Sequence, residues 1–160
     1  KDAIVVEDNG CGMNTKGLEQ YFNIGSQEKQ RNSVSPQFGR KRIGQFGIGK
    51  FAVLTAADEF SIETRKGDFV YQVTFNKLDW EQHDSWDLPI HKEPATALHH
   101  SGTKITLSSL KRSFGIQEVE KYLREVLPLR AKKFDVFLND KRITPETIIG
   151  RHFIFSHKTL

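Results

Sequence analysis

Cysteine is almost missing: Cys11 is the single thiol in 160 residues, so no internal disulfide can form and no thiolate-rich metal site can be built. Its position between Gly10 and Gly12 points to a need for a small side chain. No apolar run approaches the length of a membrane-spanning helix, and no charged-then-apolar leader marks a secretory signal; a cytoplasmic location with no membrane partner is therefore expected. Charge bias is weak as well. The 24 basic and 20 acidic residues leave a net charge of +4, which suits a polyanionic partner without requiring one. The histidines lack ligand spacing: His99 and His100 are adjacent and diverge, while His83, His91, His152 and His157 are scattered, so no metal site is expected. No Gly-x-Ser-x-Gly elbow or ordered triad appears, which argues against nucleophilic serine chemistry. There is no initiator methionine either; the chain starts Lys1-Asp2 and enters the apolar run Ile4 to Val6 at once, as expected of a piece of a longer protein.

With 37% hydrophobic and 28% charged residues, the composition predicts one soluble domain over residues 1–160 with a real core. Ala3 to Glu7 is β-branched and apolar on both faces, which predicts a buried strand ending at Asp8. Asn14 or Thr15 can cap a helix running to Phe22, with Leu18, Tyr21 and Phe22 as its apolar side. From Asn23 to Arg42 the chain is polar and basic, and a mobile loop is expected at about 23–45. Helical spacing follows from Phe46 to Ala57. Glu59 to Arg65 and Phe69 to Leu78 alternate around Lys66-Gly67-Asp68 and predict a hairpin. The stretch from Asp79 to His100, which contains Pro89 and Pro94, reads as irregular, and Gly102 to Leu107 as a further strand. An amphipathic helix is predicted from Ile116 to Leu127, ending or bending near Pro128, then a strand from Phe134 to Leu138 turning at Asn139-Asp140. The expected fold class is an α/β (α+β) two-layer sandwich, with helices on one face of a mixed β-sheet.

Two glycine-bearing segments carry the chemistry. In Val6-Glu7-Asp8-Asn9-Gly10-Cys11-Gly12-Met13, a carboxylate stands at the end of an apolar strand, where it can accept a hydrogen bond from an exocyclic amine; the same carboxylate could instead only cap a turn. Gly10 and Gly12 allow the backbone to approach a flat ring, and Met13, the only methionine, offers polarizable surface to that ring or ordinary core packing. In Ile43-Gly44-Gln45-Phe46-Gly47-Ile48-Gly49-Lys50, main-chain N–H groups at a helix start suit phosphate. This is not a Walker A loop, because Phe51 rather than Ser or Thr follows Lys50, and no strand leads into it as a Rossmann turn requires.

These two segments, followed by Ser101-Gly102-Thr103 leading into Lys104-Ile105-Thr106-Leu107, resemble in order and content the nucleotide motifs of the GHKL ATPases, the group of gyrase B, the large heat-shock chaperone, histidine kinases and MutL. The likeness spans about Ile4 to Leu107 and looks closest to the chaperone-like and MORC-like branches. It implies a Bergerat-type fold that binds ATP with Mg2+, in which lid closure couples hydrolysis to conformational switching and homodimerisation of the parent. Carried onto this sequence, the resemblance assigns adenine binding to Asp8, Gly12, Met13 and Thr103, the last through a shared water. Phosphate binding falls to Gly44, Gln45, Phe46, Gly47, Ile48, Gly49 and Lys50. The lid candidates are Ser26, Lys29, Arg40, Lys41 and Arg42. The family's helix with its acidic general base and magnesium-binding asparagine precedes the first strand, so no catalytic or metal residue is expected within this chain. Three alternatives stay open: a non-hydrolysing nucleotide-gated interaction module, a histidine kinase catalytic domain, and nucleic-acid binding along Lys121, Arg124, Arg130, Lys132 and Lys133.

Overall fold

The computed structural model describes residues 3–22, 34, 38–39, 53–82, 89–97 and 99–146. The chain divides into two compact units, Lys1–Ser113 and Phe114–Leu160.

The first unit is built on a five-stranded sheet. In chain order the strands are β1 (Ile4–Asp8), β2 (Ala57–Lys66), β3 (Phe69–Asn76), β4 (His91–Pro94) and β5 (Gly102–Leu110), and their order across the sheet is β1-β5-β2-β3-β4. Every described ladder is antiparallel. The hairpin forms as its alternation predicts, with Lys66 opposite Phe69 across the Gly67-Asp68 turn. Strand alternation then sorts the sheet into two faces. One carries Ile4, Phe60, Ile62, Val73, Phe75, Ile105 and Leu107, which pack into the core with Leu18. The other is mostly polar: Glu7, Lys104, Glu63, Gln72 and His91 lie in one cross-strand row of largely alternating charge.

Helix α1 (Thr15–Phe22) covers the apolar face. Asn14 caps it, its Oδ1 accepting from the Gly17 N–H at 3.0 Å while its carbonyl accepts the first helical bond from Leu18 N–H. Leu18 is fully buried, and Phe22 stacks on Phe60, which stacks on Phe75, with ring centroids 6.2 and 5.1 Å apart. Burial raises the Tyr21 hydroxyl pKa above its ordinary value. A short helix α2 (Val53–Ala56) runs straight into β2, so Ala57, expected in the helix, is the first strand residue and pairs with Leu110. Lys111 fastens this junction: its N–H donates to Ala56 O, and its Nζ donates to Leu54 O at 2.8 Å and pairs with Asp58 at 3.1 Å.

Further expectations about the sheet are corrected. β1 is not buried: it lies at the sheet edge, with Val5 and Val6 each more than half exposed (52% and 58%), because only β5 pairs with it among the described residues. The hairpin's second strand stops at Asn76, whose side chain accepts from the N–H groups of Leu78 and Asp79 and starts helix α3 (Lys77–Glu81). The stretch read as irregular contains β4, which tolerates Pro94 because it is the opposite edge.

In the second unit, helix α4 (Ile116–Val126) forms as its periodicity predicts; the strand expected over Phe134 to Leu138 is confined to β6 (Phe137–Leu138), which a tight hairpin joins to β7 (Lys141–Arg142). Asn139 and Asp140 both take positive φ, 46° and 66°, as a two-residue hairpin turn of this kind demands. Glu120 of α4 receives Arg124 at 2.6 Å and Lys141 at 3.2 Å. Hydrogen bonds from these two cations hold its carboxyl below the ordinary carboxylate value.

Candidate nucleotide site

At one end of the sheet the apolar face finishes in a polar row. Asp8 of β1 lies opposite Thr103 of β5, Thr103 opposite Thr64 of β2, and Thr64 opposite Tyr71 of β3. Cross-strand neighbours project to the same side, so these residues crown the core strands two positions beyond Val6, Ile105, Ile62 and Val73. The first and third sequence motifs, 95 residues apart between Asp8 and Thr103, therefore meet through β1–β5 pairing.

Thr64 is the hub of the row, and sequence reading missed it. It is 1% exposed, the one buried polar residue among those described. Its hydroxyl accepts from the Met13 N–H at 2.8 Å, donates to Gly102 O at 3.1 Å and lies 3.0 Å from Thr103 Oγ1. One threonine thus ties the loop after β1 to the start of β5. The signal was present as a polar residue at an inward position of Phe60-Ser61-Ile62-Glu63-Thr64, where the alternation calls for an apolar one.

Two glycines make this approach possible. Gly12 has φ +60°, and a Cβ there would overlap the Arg65 carbonyl; Gly102 has φ +124°, and a Cβ there would overlap the Asp8 carbonyl. The glycine requirement at Gly12 is thus set by the chain's own packing on β2. Asp8 is exposed, and its Oδ1 accepts the Gly10 N–H at 2.8 Å. It closes the turn with one oxygen and presents the other without a partner among the described residues. Met13, just ahead of α1 in the chain, is half-buried against the core cluster. Cys11 is a free, exposed thiol.

The other site candidates, Gly44 to Lys50 and the lid residues Ser26, Lys29, Arg40, Lys41 and Arg42, lie outside the described residues. Of the basic stripe, Arg124 donates to Thr144 O and pairs with Glu120, Arg130 donates to Glu146 O, and Lys121 pairs with Glu125. No helix among the described residues is long and apolar enough to cross a membrane.

Residues 1–114 match the family model described as histidine kinase-, DNA gyrase B- and HSP90-like ATPase. The chain belongs to this family. The match coincides with the first compact unit, whose boundary falls at Ser113. Among curated proteins the chain is similar to a putative type II restriction enzyme HgiDII of Herpetosiphon aurantiacus, with 31% identity over 88% of this chain and 23% of that protein. It is also similar to the chaperone protein HtpG of Helicobacter hepaticus, with 30% identity over 41% of this chain and 12% of that protein. The same chaperone from Helicobacter pylori matches at 28% identity over 41% of this chain and 11% of that protein. The chain therefore spans less than a quarter of the length of these relatives.

Proposed function

We propose that this chain is the nucleotide-binding part of an ATPase, in which Asp8 accepts the exocyclic amine of adenine. The observation that carries the reading is the pairing of Asp8 with Thr103 at the polar end of the sheet, with one oxygen of the exposed carboxylate spent on the turn and the other without a partner among the described residues. A carboxylate beside a threonine hydroxyl suits an amine; a guanine carbonyl at the same place would face an unpaired acceptor, at a cost of about 1–3 kcal/mol. Gly12 and Met13 line the base, and Thr103 supports it. Gly44 to Lys50 then hold the phosphates through main-chain N–H groups, and Ser26, Lys29 and Arg42 belong to a lid that closes over them.

In the full parent the nucleotide drives lid closure, dimerisation and hydrolysis; Mg2+ bound with it would supply positive charge against the phosphates. Among the described residues no three His, Cys, Asp or Glu side chains converge as metal ligands. Calorimetric titration of the full-length protein with ATP and GTP tests the reading. ATP should bind at least several-fold more tightly; equal affinity for the two would dismiss the adenine assignment.

A further inference from the structure

The geometry points to Thr64 as a specificity-determining residue: by fixing the direction of the Thr103 hydroxyl proton, it makes Thr103 a pure acceptor toward the bound base. This inference rests on the nucleotide reading above and deepens it. Thr64 does not reach the ligand. It acts through Thr103 and is therefore a positioning residue.

The argument is a proton count. A threonine hydroxyl has one hydrogen to donate and two lone pairs to accept with. The Thr64 hydroxyl contacts three groups: the Met13 N–H, which can only donate, the Gly102 carbonyl, which can only accept, and the Thr103 hydroxyl, which can do either. All three bonds coexist only if Thr64 gives its hydrogen to Gly102 O and Thr103 gives its own to Thr64 Oγ1. The alternative, with Thr64 donating to Thr103, forfeits the bond to Gly102 O in a place where Thr64 is 1% exposed and no water can easily replace it.

With its hydrogen turned inward, Thr103 offers only lone pairs outward. Its cross-strand neighbour Asp8, when ionised, is also acceptor-only. Two adjacent acceptors favour a ligand edge that donates, such as a 6-amino purine or a water that itself donates to both, and repel one that presents a carbonyl. A free threonine beside Asp8 would be less selective, because its hydroxyl could rotate and donate to a 6-oxo group.

The test compares ATP with inosine triphosphate, which carries a carbonyl in place of the amine and an N1–H in place of a bare N1. Dissociation constants of both are measured for the full-length protein and for its Thr64→Val and Thr64→Ser variants. The wild type should prefer ATP, and Thr64→Val should lower that preference about tenfold by releasing the Thr103 proton, while Thr64→Ser, which keeps the hydroxyl, should retain it. A merely structural role would weaken both nucleotides by the same factor and leave their ratio unchanged; that result overturns the inference while leaving the nucleotide reading intact. Should Thr64→Val fail to fold, Thr103→Val, at a half-buried position, must itself lower the preference, and an unaltered ratio there overturns the inference equally. A folded wild type that binds neither nucleotide overturns the nucleotide reading and this inference with it.

Discussion

Asp8→Asn separates the turn from the ligand site within one side chain. Asparagine keeps a carbonyl oxygen that can accept the Gly10 N–H, now bonded to Asp8 Oδ1 at 2.8 Å, so the turn after β1 should persist. The bond changes from charge-assisted to neutral at an exposed position, which should cost no more than about 1 kcal/mol of stability. The outward oxygen, by contrast, becomes an NH2 group. A donor then faces the donor edge of adenine, and the loss in binding should be about 1–3 kcal/mol, a 5- to 150-fold weaker dissociation constant for ATP. Isothermal titration with ATP and inosine triphosphate, alongside circular dichroism to verify the fold, measures both parts. ATP should weaken while the inosine nucleotide is spared. A folded Asp8→Asn protein with wild-type ATP affinity would show that Asp8 only closes its turn, and the adenine assignment would fall.

Four further outcomes follow from the packing. Leu18→Ala removes a fully buried side chain from the contact of α1 with the sheet and should cost about 3 kcal/mol in urea unfolding. Asn14→Ala, which strips the cap from the Gly17 N–H, should cost about 1 kcal/mol by the same measurement. Gly102→Ala demands φ +124° of a residue with a Cβ and drives that Cβ into the Asp8 carbonyl; a loss above about 1 kcal/mol is expected, and wild-type stability would contradict the close approach of β1 and β5. Glu120 has its folded pKa below the ordinary 4.5, so its contribution is present above that value and disappears as pH falls through the lowered one. Glu120→Gln should therefore melt earlier than wild type at pH 7, and the difference should vanish in strong acid.

Much of the first unit could be read from the chain because its signals are local. The hairpin announces itself through period-two alternation on either side of Gly67-Asp68, and α1 through its cap and the spacing of Leu18, Tyr21 and Phe22. Edge status is not local. The apolar run of β1 looks the same whether one neighbour or two will pair with it, and the charged β4 gains its strand conformation only from the free edge of β3. Thr64 escaped for the same reason. The strand alternation marks it only as a polar residue at an inward position, and its partners Met13 and Thr103 arrive from 51 residues before and 39 residues after. Sequence motifs singled out Asp8 and Thr103, and the strand pairing sets the two side by side.

The cross-strand row also constrains how this protein can vary. Because Thr103 shares its strand face with Ile105 and Leu107, adding or deleting one residue between them would invert either the polar crown or the oily layer beneath it. A single inserted residue there would have to be absorbed by a bulge to keep both layers in place. A one-residue slip in this strand would therefore disturb the Asp8–Thr103 pairing and the hydrophobic layer together.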